Sequence, residues 1–216
     1  VSAYTVSPDG GEILFISDAE GERLLYRLET ATGKITPFPL ALSNPVEVAW
    51  SPTGERLAVT VNTKGDTDIY LVNLEGEVLT GVTGGSFDEM SPSWAPDGER
   101  LVYVAEHLGF DQLHIWDGKK NRQLTGAGKH HREPVWGEDG KIYFTLGDKG
   151  YYQTAVVDPR GHEEGKTEIL SPFQETLLHP YPLPGGEILS TVYENGTYKI
   201  YRWYPPGHGE KGVTAE

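Results

Sequence analysis

A four-residue turn recurs along the chain at a nearly constant interval, and that interval restricts the fold more than any other feature. Ser7-Pro8-Asp9-Gly10 returns as Ser51-Pro52-Thr53-Gly54 and as Ala95-Pro96-Asp97-Gly98. Weaker echoes stand at Gly137-Glu138-Asp139-Gly140 and Leu183-Pro184-Gly185-Gly186. The closing glycines are 44, 44, 42 and 46 residues apart. A fixed period of this size marks an architecture of stacked units. Within each turn proline presets φ at one position and glycine tolerates φ > 0, which suits a reversal between two strands.

Aligned on these turns, the repeats contain four short strands each. Strand a precedes the turn, as in Ala3-Tyr4-Thr5-Val6, Val46-Glu47-Val48-Ala49-Trp50, Pro92-Ser93-Trp94, Pro134-Val135-Trp136 and Pro180-Tyr181-Pro182. Strand b follows it, as in Leu57-Ala58-Val59-Thr60-Val61 and Leu101-Val102-Tyr103-Val104. Strand c alternates most clearly, as in Asp68-Ile69-Tyr70-Leu71-Val72 and Gln112-Leu113-His114-Ile115-Trp116, and a period of two in β-branched and aromatic residues argues for strand. Strand d is the most variable, as in Gly33–Pro37 and Arg122–Gly126. No segment sustains a helical stripe, so the predicted fold class is all-β.

Four antiparallel strands per unit of about 40 to 45 residues describe a β-propeller blade. Five blades are countable, at about 1–45, 46–89, 90–132, 133–178 and 179–216, in a single domain. The preferred reading is a closed five-bladed ring, with Lys211–Ala215 as its last outer strand; the alternative is part of a six- or seven-bladed ring. Trp50, Trp94 and Trp136 end successive a strands and are expected to pack between neighbouring blades, while Val6 and Pro182 take that place in the outer repeats. On this reading Trp94→Ala is strongly destabilising and Asp88→Ala, on a loop, stays within about 0.5 kcal/mol.

Trp50-Ser51-Pro52-Thr53-Gly54, Trp94-Ala95-Pro96-Asp97-Gly98 and the third-strand elements Ile69-Tyr70 and Leu25-Tyr26 resemble the repeat of the TolB-like propellers. The resemblance covers nearly the whole chain, with the fourth and fifth units degenerate. The same WD-like repeat builds the propeller domain of prolyl-oligopeptidase-type serine peptidases. The resemblance implies ligands on the face built by the d-to-a and b-to-c loops, with the Pro-Asp-Gly turns on the opposite face. It implies a periplasmic location for a TolB-like role; otherwise the chain is expected in the cytoplasm.

Composition narrows the partners. A net charge of −14 with no basic block repels phosphate backbones and argues against nucleic acid. There are no cysteines, which excludes disulfides and a thiol nucleophile. No apolar run reaches the roughly 18 to 20 residues that span a bilayer, so membrane insertion is not expected. Val1-Ser2-Ala3-Tyr4 lacks the basic and apolar regions of a signal peptide.

Three residues before each strand-a Trp position stand Ala3, Glu47, Ser91, Glu133 and His179, which are expected to ring the channel mouth. Two carboxylates and an imidazole near one axis suit a hard cation or polar ligand; a plain solvated channel is the competing reading. Asp88, Glu89, His107, His131 and Arg132 complete the candidate partner-binding set on the adjoining loops, and Gln174-Glu175 lie on a further d-to-a loop. His107, His130, His131 and His179 match no standard metal spacing. Asp9, Asp97 and Asp139 read as turn formers.

No Gly-x-Ser-x-Gly and no His-Glu-x-x-His occurs, and Gly126-Ala127-Gly128-Lys129 lacks the Ser or Thr of a phosphate loop. No catalytic residues are assigned and no motif requires a cofactor. The expected function is a non-catalytic scaffold binding a protein or peptide. The alternatives are the gating propeller of a serine peptidase without its hydrolase domain, and a glycan-binding or glycan-cleaving propeller.

Overall fold

Short alternating segments separated by glycine-containing turns produce twenty strands and no helix among the described residues. The structure is a computed structural model that describes residues 3–63, 65–160, 166–171, 177–194, 196–205 and 214–215. Each repeat forms one antiparallel sheet in simple up-and-down order. The first comprises β1 (Ala3–Val6), β2 (Glu12–Ser17), β3 (Leu24–Glu29) and β4 (Ile35–Pro37). The second comprises β5 (Pro45–Trp50), β6 (Arg56–Thr63), β7 (Asp66–Asn73) and β8 (Val78–Gly81). The third comprises β9 (Glu89–Trp94), β10 (Leu101–His107), β11 (Phe110–Trp116) and β12 (Asn121–Gln123). The fourth comprises β13 (His130–Trp136), β14 (Ile142–Asp148), β15 (Tyr151–Val157) and β16 (Glu168–Ile169). The fifth comprises β17 (Leu177–Pro182), β18 (Ile188–Glu194), β19 (Thr197–Trp203) and β20 (Thr214–Ala215). The sheets are the blades of a five-bladed β-propeller, with β1, β5, β9, β13 and β17 innermost.

Successive side chains of a strand point to opposite faces, so a blade with apolar residues at neighbouring positions needs a neighbour on each side. Blade two shows this directly. Val59 and Leu57 pack with Leu14 and Ile16 of blade one. Ala58, between them in sequence, packs with Trp94, Leu101 and Tyr103 of blade three. Val102 and Val104 pack with Trp136 and Phe144 across the next interface, and Val156 with Leu177, Ile188 and Trp203 across the fourth. Trp94 and Trp136 are thus buried between blades as their repeat position predicts, while Trp50 is partly buried against the first core.

Blades one and five share no such core among the described residues. Their outward faces are nonetheless apolar. Tyr4 (70% exposed), Val6, Leu24 and Ile35 lie on blade one, and Tyr181, Tyr193, Tyr198 (69%) and Ile200 on blade five. The rings of Phe15 and Tyr26 stack at 5.5 Å, and those of Tyr193 and Tyr198 meet at 5.0 Å.

The repeated turn is built as its residues dictate. Gly98 has φ of 70°, and a Cβ there would lie 2.6 Å from the Thr53 side chain of the preceding turn, so only glycine fits. The carboxylates of Asp9, Asp97 and Asp139 accept backbone N–H groups of Gly11, Glu99 and Lys141 inside their own turns.

Strand β15 was not legible in the alternation. Ala155, Val156 and Val157 are buried in succession because both faces of that blade are covered, and this erases the period of two. The hairpin before it is only Lys149-Gly150, both with positive φ, as a two-residue reversal requires. Strand β20 pairs with β19 and supplies an outer strand from the C-terminal side; Lys211–Val213 lie outside the described residues.

Trp94→Ala removes a ring buried between two blades together with its 3.1 Å hydrogen bond to the Ala49 carbonyl, and is expected to cost about 3–5 kcal/mol. Asp88 differs from the loop residue expected of it: its carboxylate accepts the N–H (3.0 Å) and hydroxyl (3.2 Å) of Thr67. Asp88→Ala is therefore expected to cost about 1–2 kcal/mol rather than nothing measurable. Urea unfolding of both variants checks the pair.

Candidate functional site

The innermost strands are irregular at one recurring place. The pairing shifts register at Pro45/Glu47 in β5, opposite Val102/Val104 in β9, at Arg132/Val135 in β13 and at Leu178/Tyr181 in β17. At the last three sites Ser91, Glu133 and His179 adopt φ of 53°, 53° and 51°, and each precedes a proline. A non-glycine residue held there costs on the order of 1–3 kcal/mol unless its surroundings fix it. At Ser91 and His179 they do so through a neighbour's carboxylate. The Ser91 N–H donates to Glu47 Oε2 at 2.6 Å, and the His179 N–H donates to Glu133 Oε2 at 2.8 Å.

These bulges turn side chains toward the axis. Glu47, Ser91, Glu133, Pro134, His179 and Tyr181 line a cavity of about 550 Å³. Four of the five positions expected to meet at the channel mouth do meet; Ala3, the fifth, packs instead against the core of blades one and two. Both carboxylates are already engaged. Glu47 also accepts the Thr60 hydroxyl at 3.1 Å, and Glu133 accepts the Thr145 hydroxyl at 2.8 Å and pairs with His179 Nε2 at 2.8 Å. The mouth is acidic, polar and braced by bonds that run from blade to blade. Pro134 and Tyr181 were missed; the repeated Xaa-Pro two residues before each blade-end position (Ser91-Pro92, Glu133-Pro134, His179-Pro180) is the sequence signal that marks this bend.

The remaining candidates divide by burial. His107 is exposed on the b-to-c hairpin of blade three, its ring edge-on to Phe87 at 4.9 Å. Arg132 is exposed and pairs with the Asp111 carboxylate, which also meets His130 Nδ1 at 2.9 Å. Glu89 and His131 are corrected: both are buried, 7% and 5% exposed, and neither can meet a partner at the surface. His131 Nδ1 lies 3.1 Å from the Asp111 carbonyl and its ring packs on Phe144, because strand β13 begins earlier than the sequence pattern indicates. Burial lowers its pKa and keeps it neutral. Burial, then the nearby Asp68 carboxylate, pushes Glu89 up to about 7. Gln174 and Glu175 lie outside the described residues. Among the described residues no group of three or more His, Asp or Glu is arranged to hold a metal ion, and no helix is long and apolar enough to cross a membrane.

Five blades stacked through shared cores, with strained inner strands converging on an acidic mouth, define a repeat-built β-propeller with an axial polar site. Residues 38–188 match the family model of the TolB beta propeller domain, and the chain belongs to that family. A protein TolB homolog of Chlorobium luteolum is 31% identical over 112 residues, covering 52% of this chain and 25% of that protein. An uncharacterized peptidase of Bacillus subtilis, YuxL, is 32% identical over 147 residues, covering 62% of this chain and 20% of its own length. The chain thus spans a quarter or less of these curated relatives. The crystal structure of TolB from Acinetobacter baumannii shares the fold with a TM-score of 0.71 at 20% identity, over 97% of this chain and 55% of that one.

Because the Glu89 carboxyl titrates near 7 in the folded chain and near 4.3 when unfolded, the folded state holds the extra proton between those values. The Glu89 contribution to stability is therefore lost as pH rises from about 4.5 to 7 and is level above that. Glu89→Gln is expected to remove this slope and to stabilise the protein by about 1–3 kcal/mol at pH 8, read from urea unfolding across the pH range.

Proposed function

We propose that this propeller is a non-catalytic scaffold that binds a protein or peptide partner at the mouth formed by Glu47, Ser91, Glu133 and His179. The observation that carries the reading is the convergence of these side chains from the innermost strands on one cavity of about 550 Å³. That volume lies within the roughly 300–1,000 Å³ of small-ligand pockets and suits a short segment of a partner. Membership of the TolB beta-propeller family supports the same reading. The exposed His107 and Arg132 extend the surface from the mouth onto the surrounding loops.

A second reading rests on the likeness to the Bacillus subtilis peptidase: the propeller screens substrates for a hydrolase domain elsewhere in its protein. A coding sequence that continues into a Gly-x-Ser-x-Gly hydrolase favours this reading over the first.

Selection of peptides from a displayed library against the folded chain tests the scaffold. Selected peptides are expected to lose about ten-fold or more in affinity to His179→Glu, which adds charge at the mouth, and to bind Asp97→Ala, on the opposite face, unchanged. Peptides indifferent to His179→Glu would contradict the proposal.

A further inference from the structure

At the turn end of the ring two successive interfaces are closed by the same pair. The guanidinium of Arg56 lies 5.5 Å from the centre of the Trp94 ring, and that of Arg100 lies 4.9 Å from the Trp136 ring. Arg56 is the first residue of β6 and Arg100 stands immediately before β10, while each indole ends strand a of the next blade. Arg56 also donates to the Gly98 carbonyl at 2.6 Å and meets Glu99 at 3.2 Å. The cation is held between an aromatic face and turn acceptors.

At the next interface the series breaks on both sides. Lys141 stands where the arginine is expected and Pro182 where the tryptophan is expected. Tyr143 leans into the gap: its ring is close to Gly137, where a Cβ would lie 3.0 Å from Tyr143 and 3.3 Å from Pro182. A cavity of about 330 Å³ remains, lined by Glu138, Asp139, Tyr143 and the Pro182–Gly186 turn, with no basic residue in its wall among the described residues. Asp139 is oriented by the Lys141 N–H at 3.1 Å and the Tyr143 hydroxyl at 3.0 Å, and Glu138 is exposed. Arg160, a second cation near Asp139 besides Lys141, is paired with Asp158 at 2.7 Å.

We propose that this cavity is a binding site for a guanidinium group, the arginine side chain of a peptide. The ligand stacks on Tyr143 between Glu138 and Asp139 and supplies the cation that the repeat itself supplies one and two interfaces earlier. A guanidinium suits the place better than an ammonium because it is planar, weakly hydrated and able to stack while its N–H groups reach carboxylates and turn carbonyls. The site lies at the turn end, opposite the channel mouth, and stands independently of the function proposed above.

Titration of the folded chain with Nα-acetyl-arginine methylamide, followed by amide chemical shifts, tests it. Saturable shifts are expected at Asp139, Gly140, Gly185 and Gly186, with the lysine analogue about five-fold weaker or worse. Glu138→Lys, at an exposed position, is expected to weaken binding about ten-fold, and Pro182→Trp, which restores the ring of the repeat, to abolish it. Absence of saturable shifts, equal binding of the lysine analogue, or undiminished affinity in Glu138→Lys would each overturn the proposal. Should Pro182→Trp not fold, Glu138→Lys decides.

Discussion

Burial of two apolar faces per sheet is the constraint on which the rest of this structure depends. A four-stranded sheet with Ala58 on one side and Val59 on the other cannot be stable in water alone. Radial stacking answers the requirement: each of the four interfaces between successive blades covers one face of both, and the blades fan around a common axis. The shared cores carry most of the apolar burial, and at about 25 cal/mol per Å² they dominate the favourable side of folding. The hydrogen bonds between blades are fewer and have another task. Trp50 N–H to Thr5 Oγ1, Ser91 N–H to Glu47, Trp136 N–H to Ser93 Oγ and His179 N–H to Glu133 fix the height of each blade against the next.

That division of labour explains how the mouth arises. The bulges in β9, β13 and β17 are strained, and at β9 and β17 the carboxylate that holds the bulge comes from the preceding blade. Glu47 and Glu133 therefore act first as braces between blades and only through their remaining surface as contacts for a ligand. A substitution at either position weakens fold and recognition together, whereas His179, at the end of one such chain and exposed, separates the two effects.

Much of the fold was legible in the sequence because a repeat shows itself several times. The turn glycines set the period, and the Trp50, Trp94 and Trp136 series identified the inter-blade positions. The fourth blade was harder to read, since Thr154 through Val157 are all buried and the alternation vanishes. The candidate site was legible at its centre, because Glu47, Ser91, Glu133 and His179 occupy one repeat position. It was misread at Glu89 and His131, where polar side chains begin strands that lie deeper than any local pattern indicates. Their burial follows from contacts with neighbouring blades, and a single repeat holds no signal for those.

The outward faces of blades one and five, with Tyr4 and Tyr198 exposed, mark where the covering of faces stops among the described residues. If coverage on both sides is what stabilises a blade, opening should be easiest at the ends of the series. Amide hydrogen exchange followed by mass spectrometry measures this strand by strand. The account predicts strongest protection in β6, β10 and β14, the second strands of the three blades covered on both faces, and weaker protection in β2 and β18. Equal protection in all five strands, or the greatest protection in β2 and β18, would contradict it.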